Sequence, residues 1–403
     1  MRDLPVDHRH PAIAFASHAV ITLRRRAALF TVLSACHGCH AGSRTPPETP
    51  PVQVPSVGGA RVIAASNDGT WAAVDGGTLY YWGLASSVYN DSPTARGHLP
   101  PSKIAAPAPI EKVQGVTATS ADDWACVLDA AGAVTCFGLS GDGFSGKVNR
   151  TWPIAMHVNG KQIVASSDFG CALGVDGTVQ CWESSTDEFI FGGTSVTSFA
   201  PTKVAGLSGV VGISGRFGTL FARAANGSVR GGEILQMICD EKSCGPRQPP
   251  APIPGLSNVL QVEGSLHAHA CALLQDKTVA CWGVNTHGQL GIGTKHAASA
   301  PTAVPGLSDV VEIAVGRAAT CARHSDGSVQ CWGENNHGQL GDGTTDDRLS
   351  PVRVTGLTGA KGITVGATHA CAIVEEGKVR CWGGNEHGET GTNPPQHTAP
   401  ISK

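Results

Sequence analysis

One unit recurs through most of this chain, and its spacing decides what the chain can fold into. It reads CALLQDKTVACWG at 271–283, CARHSDGSVQCWG at 321–333 and CAIVEEGKVRCWG at 371–383, a period of 50 residues. Weaker copies stand at 171–182 (CALGVDGTVQCW) and 126–138 (CVLDAAGAVTCFG), and two copies without cysteine at 221–231 (FARAANGSVRG) and 71–83 (WAAVDGGTLYYWG). Seven units therefore fill residues 52–403. Each holds a strand, a turn and a second strand, with further strand-like segments such as Pro351-Val352-Arg353-Val354 and Val310-Val311-Glu312-Ile313-Ala314 between hairpins. About four short strands per unit, repeated seven times, is an all-β pattern and predicts a seven-bladed β-propeller. The 52 Gly and 25 Pro, spread along the chain, belong to turns and argue against a helical solenoid, the other architecture with such a period.

The turns fix the strand register. With Ser325-Asp326-Gly327 as a three-residue hairpin loop and Gly327 in the left-handed position, Cys321 falls opposite Cys331. That is a non-hydrogen-bonded pair, where Cα atoms approach to roughly 4.5 Å and a disulfide closes. The same count pairs Cys126 with Cys136, Cys171 with Cys181, Cys271 with Cys281 and Cys371 with Cys381. Where cysteine is missing both partners change together, to Trp71 and Tyr81 and to Phe221 and Gly231. Cys239 and Cys244 are spaced to close a small loop of their own. These bridges use 12 of the 14 cysteines, leave Cys36 and Cys39, and require an oxidising compartment. Zinc is the competing use, but cysteines at i and i+10 without C-x2-C or His spacing argue against it. No metal or other cofactor is expected.

The amino terminus has the order of an export signal: Arg24-Arg25-Arg26, an apolar run over 27–33, then Ser34-Ala35-Cys36. Leu33-Ser34-Ala35-Cys36 is similar to a bacterial lipobox, in which Cys36 would be acylated and become the first mature residue; ordinary secretion is the alternative. The apolar run is too short for a lasting membrane span, so membrane attachment by lipid alone is expected. The residues before the arginines are unusual for such a signal and place the expected translation start nearer Val20 or Leu23. The organisation is read as an export segment over 1–41, a Pro-rich linker over 42–55 and the propeller over 52–403.

Composition removes other classes. The 29 Lys and Arg against 32 Asp and Glu, without a long basic run, leave no electrostatic footprint for nucleic acid. A hydrophobic content of 41% is too high for a disordered chain. No G-x-S-x-G, H-E-x-x-H or phosphate-cradling glycine loop is present, so no catalytic residue and no enzyme activity are expected. His287, His337 and His387 recur at one position of the unit and could in principle ring a metal; a repeated structural position is the simpler account. Ser66-Asn67-Asp68-Gly69-Thr70-Trp71 approaches the Asp-box of sialidase propellers but is one spacer residue short, and no arginine triad accompanies it.

The run Trp332-Gly333-Glu334-Asn335-Asn336-His337-Gly338-Gln339-Leu340-Gly341-Asp342-Gly343-Thr344, followed by Ser350-Pro351-Val352, has copies at 282–293 and 382–391. It resembles the repeat of the regulator of chromosome condensation family, which are seven-bladed propellers. The resemblance implies that fold for almost the whole mature chain and, for function, binding to other proteins. The family includes a nucleotide exchange factor for a small nuclear GTPase, parts of ubiquitin ligases and a secreted bacterial inhibitor of β-lactamases. An exported chain does not meet a cytosolic GTPase, so exchange is the least transferable of these. The expected function is that of a non-enzymatic, monomeric scaffold of the cell envelope, or a secreted one, with a protein partner. The alternatives are an inhibitor of an extracellular enzyme and, further off, a regulator resembling a guanine nucleotide exchange factor.

In units five to seven the hairpin is followed by the Gly-Gln-Leu-Gly run, or by Gly388-Glu389-Thr390-Gly391. Units one to four replace it with unrelated sequence at about 84–106, 139–150, 183–199 and 233–249. Equivalent connections lie on one face of a propeller. Tyr89, Phe144, Trp152, Phe189, Ile190, Phe191 and Phe199 lie in or beside these segments, in a chain with only 5% aromatics, and are the expected partner-binding anchors. Closure of the ring has two candidates. Pro-Val type segments at Pro51-Val52, Pro109-Ile110, Pro153-Ile154, Pro201-Thr202, Pro252-Ile253, Pro301-Thr302, Pro351-Val352 and Pro400-Ile401 outnumber the hairpins by one, so either end of the chain could supply the last strand.

Overall fold

The computed structural model describes residues 50–392 apart from 56, 68, 76, 86–96, 105–112, 119–123, 130, 139–149, 158–159, 166–168, 184–200, 217–218, 234–236, 240–243, 247–248 and 266–268. The expected export segment over 1–41, Cys36, Cys39 and Pro400-Ile401 lie outside the described residues.

Among the described residues the strands form seven four-stranded antiparallel sheets and one two-stranded ribbon, the arrangement of an all-β propeller. Sheet 1 is Ala60–Ala65, Gly69–Val74, Leu79–Ala85 and Gly97–Ile104; sheet 2 is Val113–Ala118, Trp124–Asp129, Ala133–Gly138 and Arg150–His157. Sheet 3 is Gly160–Ala165, Phe169–Gly174, Val179–Glu183 and Thr202–Lys203; sheet 4 is Val210–Arg216, Thr219–Ala224, Val229–Glu233 and Ala251–Pro252. Sheet 5 is Val259–Gly264, His269–Leu274, Val279–Gly283 and Ala298–Ala303; sheet 6 is Val310–Val315, Ala319–His324, Val329–Gly333 and Arg348–Arg353. Sheet 7 takes Gly362–Val365, His369–Ile373 and Val379–Gly383 from one end of the chain and Val52–Gln53 from the other.

The amino-terminal segment thus completes the last sheet. Val52 lies opposite Cys381 and Gln53 opposite Arg380, and the Val54 NH donates to the Val379 carbonyl at 2.9 Å. Register also corrects three of the Pro-Val assignments: in sheet 2 a bulge sets Trp152, and not Ile154, opposite Cys136. Ser102, after Pro101, lies opposite Tyr81, so Pro101-Ser102 and not Pro109-Ile110 begins the pairing in sheet 1. In sheet 4 Ala251 lies opposite Gly231, so the segment is Pro250-Ala251 and not Pro252-Ile253. Outer strands are solvent-facing and carry no strong apolar pattern, which makes a Pro-x pair an ambiguous marker for them.

The hairpin arithmetic holds at the level of register. Cys321 lies opposite Cys331, Trp71 opposite Tyr81 and Phe221 opposite Gly231, with the His324 NH closing the loop on the Ser328 carbonyl at 2.9 Å. Five disulfides join Cys126–Cys136, Cys171–Cys181, Cys271–Cys281, Cys321–Cys331 and Cys371–Cys381, with Cα atoms 4.0–4.1 Å apart. The second strands do not alternate inside and outside: Phe169–Gly174 is buried throughout, because neighbouring sheets cover both of its faces. Alanine at 72, 172, 322 and 372 keeps that approach close. Four of the five disulfides pack on the alanine and tryptophan of the following sheet: Cys126–Cys136 on Ala172 and Trp182, Cys271–Cys281 on Ala322 and Trp332, Cys321–Cys331 on Ala372 and Trp382, Cys371–Cys381 on Ala72 and Trp82; Cys171–Cys181 packs on Ala222, and Gly232 stands at the tryptophan position of sheet 4. In sheet 4 Phe221 takes the disulfide's place, edge-on to Trp282 with centroids 6.0 Å apart, and a Cβ at Gly231 would stand 2.9 Å from its ring.

Two sets of polar contacts lock one sheet to the next. At each hairpin a carbonyl accepts from the NH that opens the next sheet, as in Val210 to Gly177, Val259 to Gly227, Val310 to Lys277 and Ala360 to Gly327, at 3.0–3.1 Å. On the first strands, the Gln162 amide clasps both backbone groups of Ile213 (2.7 and 3.0 Å), and Gln261 clasps Ile313 in the same way (2.9 and 3.0 Å). Where that position is Gly212 or Gly362, a hydroxyl two residues on reaches across instead: Ser214 donates to Glu263, and Thr364 accepts from the Ala65 NH, both at 2.9 Å.

Lys277 stands where the other regular hairpins have glycine and carries a left-handed φ of 68°. Lys277→Gly is expected to raise the free energy of unfolding by about 0.5–1 kcal/mol in urea titrations, since only the side chain's strain is removed.

Candidate interaction surface

The connections from the third to the outer strand all leave the same end of their sheets. In sheets 5 to 7 they are held by one set of bonds. The side-chain carbonyl of Asn285 accepts from the Leu290 NH (2.9 Å) while its amide donates to the carbonyls of Thr294 and His296 (2.8 and 2.9 Å). Asn335 and Asn385 repeat this with Leu340 and Thr390 as donors at 2.9 and 3.1 Å. The Gln289, Gln339 and Glu389 side chains each accept from the NH two residues back, at 2.8–2.9 Å. Their own carbonyls receive the indole NH of the next sheet, from Trp332, Trp382 and Trp82 respectively, each at 2.9 Å. Leu290 and Leu340 are fully buried between sheets. The repeated run is therefore mortar between sheets: its Asn and Gln or Glu side-chain oxygens are consumed internally, while among the described residues the buried Gln289 Nε2 has no partner.

His287, His337 and His387 sit one per sheet in these connections, and their backbone NH groups are the donors to Gln289, Gln339 and Glu389. The His287 Nδ1 lies 3.2 Å from an Asp347 carboxylate oxygen, which also receives Lys295 at 3.3 Å. The Ser66 segment is a turn, its hydroxyl donating to the Gly69 carbonyl at 3.0 Å.

Two carboxylates hold the sheet 6 connection. Asp342 takes the Arg348 Nε at 2.6 Å, the Thr344 hydroxyl at 2.8 Å and the Thr344 NH at 3.0 Å. Burial opposes its charge, but these donors outweigh burial and hold the Asp342 carboxyl below its ordinary range. Burial likewise opposes charge at Asp347, where the Asn335 NH, His287 and Lys295 lower the carboxyl on balance. A depressed folded-state value gives stability that is present above the unfolded value near 3.9 and lost as pH falls through the folded one. Thermal midpoints are therefore expected to fall between about pH 5 and pH 2, and Asp342→Asn to flatten that fall; an unchanged slope would remove Asp342 from the account.

Of the aromatic positions singled out in the sequence, Trp152 lies on the outer strand of sheet 2, opposite Cys136, and is not part of a free connection. Tyr89, Phe144, Phe189, Ile190, Phe191 and Phe199 lie outside the described residues. In sheet 4 the connection carries the ribbon Met237–Cys239 and Cys244–Pro246, with Cys239 opposite Cys244; a bond between them is outside the described residues. The Gln162 and Gln261 clasps escaped the sequence reading because their partners are backbone groups some 50 residues away; glutamine recurring just before the first strand's Ile or Val was the only signal.

Residues 278–323 and 326–373 match the regulator of chromosome condensation (RCC1) repeat, and a second description of that repeat matches 310–339 and 360–389. Residues 278–389 thus carry the regulator of chromosome condensation repeat. This RCC1 repeat protein is similar in structure to human WBSCR16, with a TM-score of 0.60 and 19% identity over 81% of this chain and 87% of that one. It is similar also to Prp20p from Saccharomyces cerevisiae, with a TM-score of 0.58 and 19% identity over 79% and 81%. Yeast RCC1 (Prp20) in its Kap60 complex gives 0.54 and 20% over 68% and 70%. At such identities the likeness shows the propeller fold alone. No curated protein matches this RCC1 repeat chain.

Proposed function

We propose that the protein is a seven-bladed propeller of the cell envelope, exported and acylated at Cys36, that acts as a non-enzymatic scaffold for a protein partner. The partner binds the connections of sheets 1 to 4. The observation that carries this reading is the contrast between the two halves of that end: in sheets 5 to 7 the connection's Asn and Gln or Glu side chains bond within the connection and one carbonyl takes the indole of the next sheet, whereas sheets 1 to 4 replace the run with unrelated segments, three of which carry Tyr89, Phe144, Phe189, Phe191 and Phe199. Fold-level analogy agrees, since Prp20p has binding properties toward Gsp1p and histones and yeast RCC1 (Prp20) is seen bound to Kap60. Buried disulfides in five sheets favour an oxidising compartment, and among the described residues no helix is long and apolar enough to cross a membrane. Cys239–Cys244 is assigned as a sixth bridge.

Two measurements test this. Intact mass of the native protein should show a chain beginning at an acylated Cys36; an unprocessed chain with free thiols would overturn the location. Cross-linking in intact cells should give a discrete adduct that disappears when 184–200 is replaced by the sheet 6 connection 334–347. An adduct unchanged after all four irregular connections are replaced would overturn the binding face.

A further inference from the structure

At the opposite end of the sheets, where the hairpin loops lie, sheet 4 holds a cation without its anion. In sheet 6, Arg323 lies opposite Glu312 on the neighbouring strand and bonds it at 2.6 Å. The same carboxylate accepts from the Ile363 NH of the next sheet at 3.3 Å. In sheet 4 the equivalent arginine is Arg223, and the residue opposite it is Gly212. Arg223 is half-buried, and among the described residues no hydrogen bond or ion pair reaches its guanidinium. Burial alone acts on it and lowers its pKa. The acids on the adjoining first strand and hairpins are engaged elsewhere: Glu263 with Ser214 and Gln261, Asp176 and Asp276 with Thr178 and Thr278 of their own loops.

The same end carries exposed apolar side chains. Among the described residues the exposed large hydrophobics are Val175, Val211 and Leu260, at 58%, 37% and 38%. All three belong to this end. Val211 and Leu260 are the bulged residues that open the first strands of sheets 4 and 5. Val175 lies in the sheet 3 hairpin, whose Gly177 carbonyl accepts from Val210. They share this end of three adjoining sheets with Arg223, and an unpaired half-buried cation is costly unless something supplies the charge.

We propose that this end is a second docking surface, which takes an acidic, aliphatic segment of a protein partner with its carboxylate on Arg223, in the seat that Glu312 fills in sheet 6. Aliphatic side chains of the segment cover Val175, Val211 and Leu260. This surface is at the other end of the sheets from the irregular connections and does not depend on them.

The probe is a set of fluorescent hexapeptide pools drawn from Val, Leu and Ile, with one position fixed as Glu, Gln or Lys, read by anisotropy against the full chain. The Glu pools should bind at least about tenfold more tightly than the Gln pools, and Arg223→Gln should remove the difference. Gly212→Glu rebuilds the sheet 6 pair within the chain. A Cβ there stands 3.2 Å from the movable end of Arg223, so the variant should melt at or above the native temperature while losing the peptides. Equal affinity for Glu and Gln pools, no binding by any pool, or full binding by Arg223→Gln or by folded Gly212→Glu would each overturn the proposal.

Discussion

Cys321→Ala combined with Cys331→Ala is expected to lower the free energy of unfolding by about 3–5 kcal/mol. Closing a hairpin of 10 residues' separation restricts the unfolded chain by about 3 kcal/mol in the chain-entropy account. The remainder comes from lost packing, since both sulfurs are buried against Trp382 and Ala372. Because the bonded cysteines are all at most 3% exposed, a mild reductant should leave the native protein intact. In denaturant all five described bonds should open together, and the reduced chain should not regain its melting transition. Urea titration of the double variant and thiol counting with and without denaturant check both statements; a loss under about 1 kcal/mol would show that the bridge holds nothing the strands do not.

Trp382→Ala should cost about 3–5 kcal/mol. The ring is 1% exposed, fills the space between sheets 6 and 7, and gives its NH to the Gln339 carbonyl. A pair of glycines in the same connection separates packing from backbone strain. Gly341 and Gly343 both have left-handed φ, of 66° and 86°. A Cβ on Gly341 would lie 2.8 Å from the Trp382 ring, whereas one on Gly343 meets nothing within 4 Å. Gly343→Ala should therefore cost only the strain, about 1–2 kcal/mol, and Gly341→Ala clearly more. Equal losses would mean that the Trp382 contact is not tight.

The hairpins were legible because a three-residue loop and a period of 50 residues leave no freedom in which residues face each other: Cys321 and Cys331, Trp71 and Tyr81 and Phe221 and Gly231 all follow from the loop outward. The outer strands were less so. Pro101-Ser102 and Pro250-Ala251 compete with nearby Pro-x pairs, and an edge strand has too little buried surface to choose between them. Which end of the chain closes sheet 7 depends on Val52 against Ile401, two similar residues, and only pairing decides it. At the candidate surfaces the sequence showed where the repeat departs from itself. It did not show that Arg223 has lost its carboxylate, because that comparison needs the cross-strand partners Gly212 and Glu312 side by side.

The pairing of Val52 with Cys381 sets an order of events during synthesis. The strand that completes sheet 7 is made first and must wait, without its partner, until every other sheet strand has emerged. Local hairpins form early, and the contact of greatest sequence separation forms last, with the largest loop-closure cost. A chain clipped between Pro55 and Gly58 would keep six whole sheets but present Val379–Gly383 as an open edge, a surface that another copy's Val52–Gln53 could occupy. Val52–Gln53 thus decides whether the chain finishes as one closed molecule or is left able to exchange strands with its neighbours.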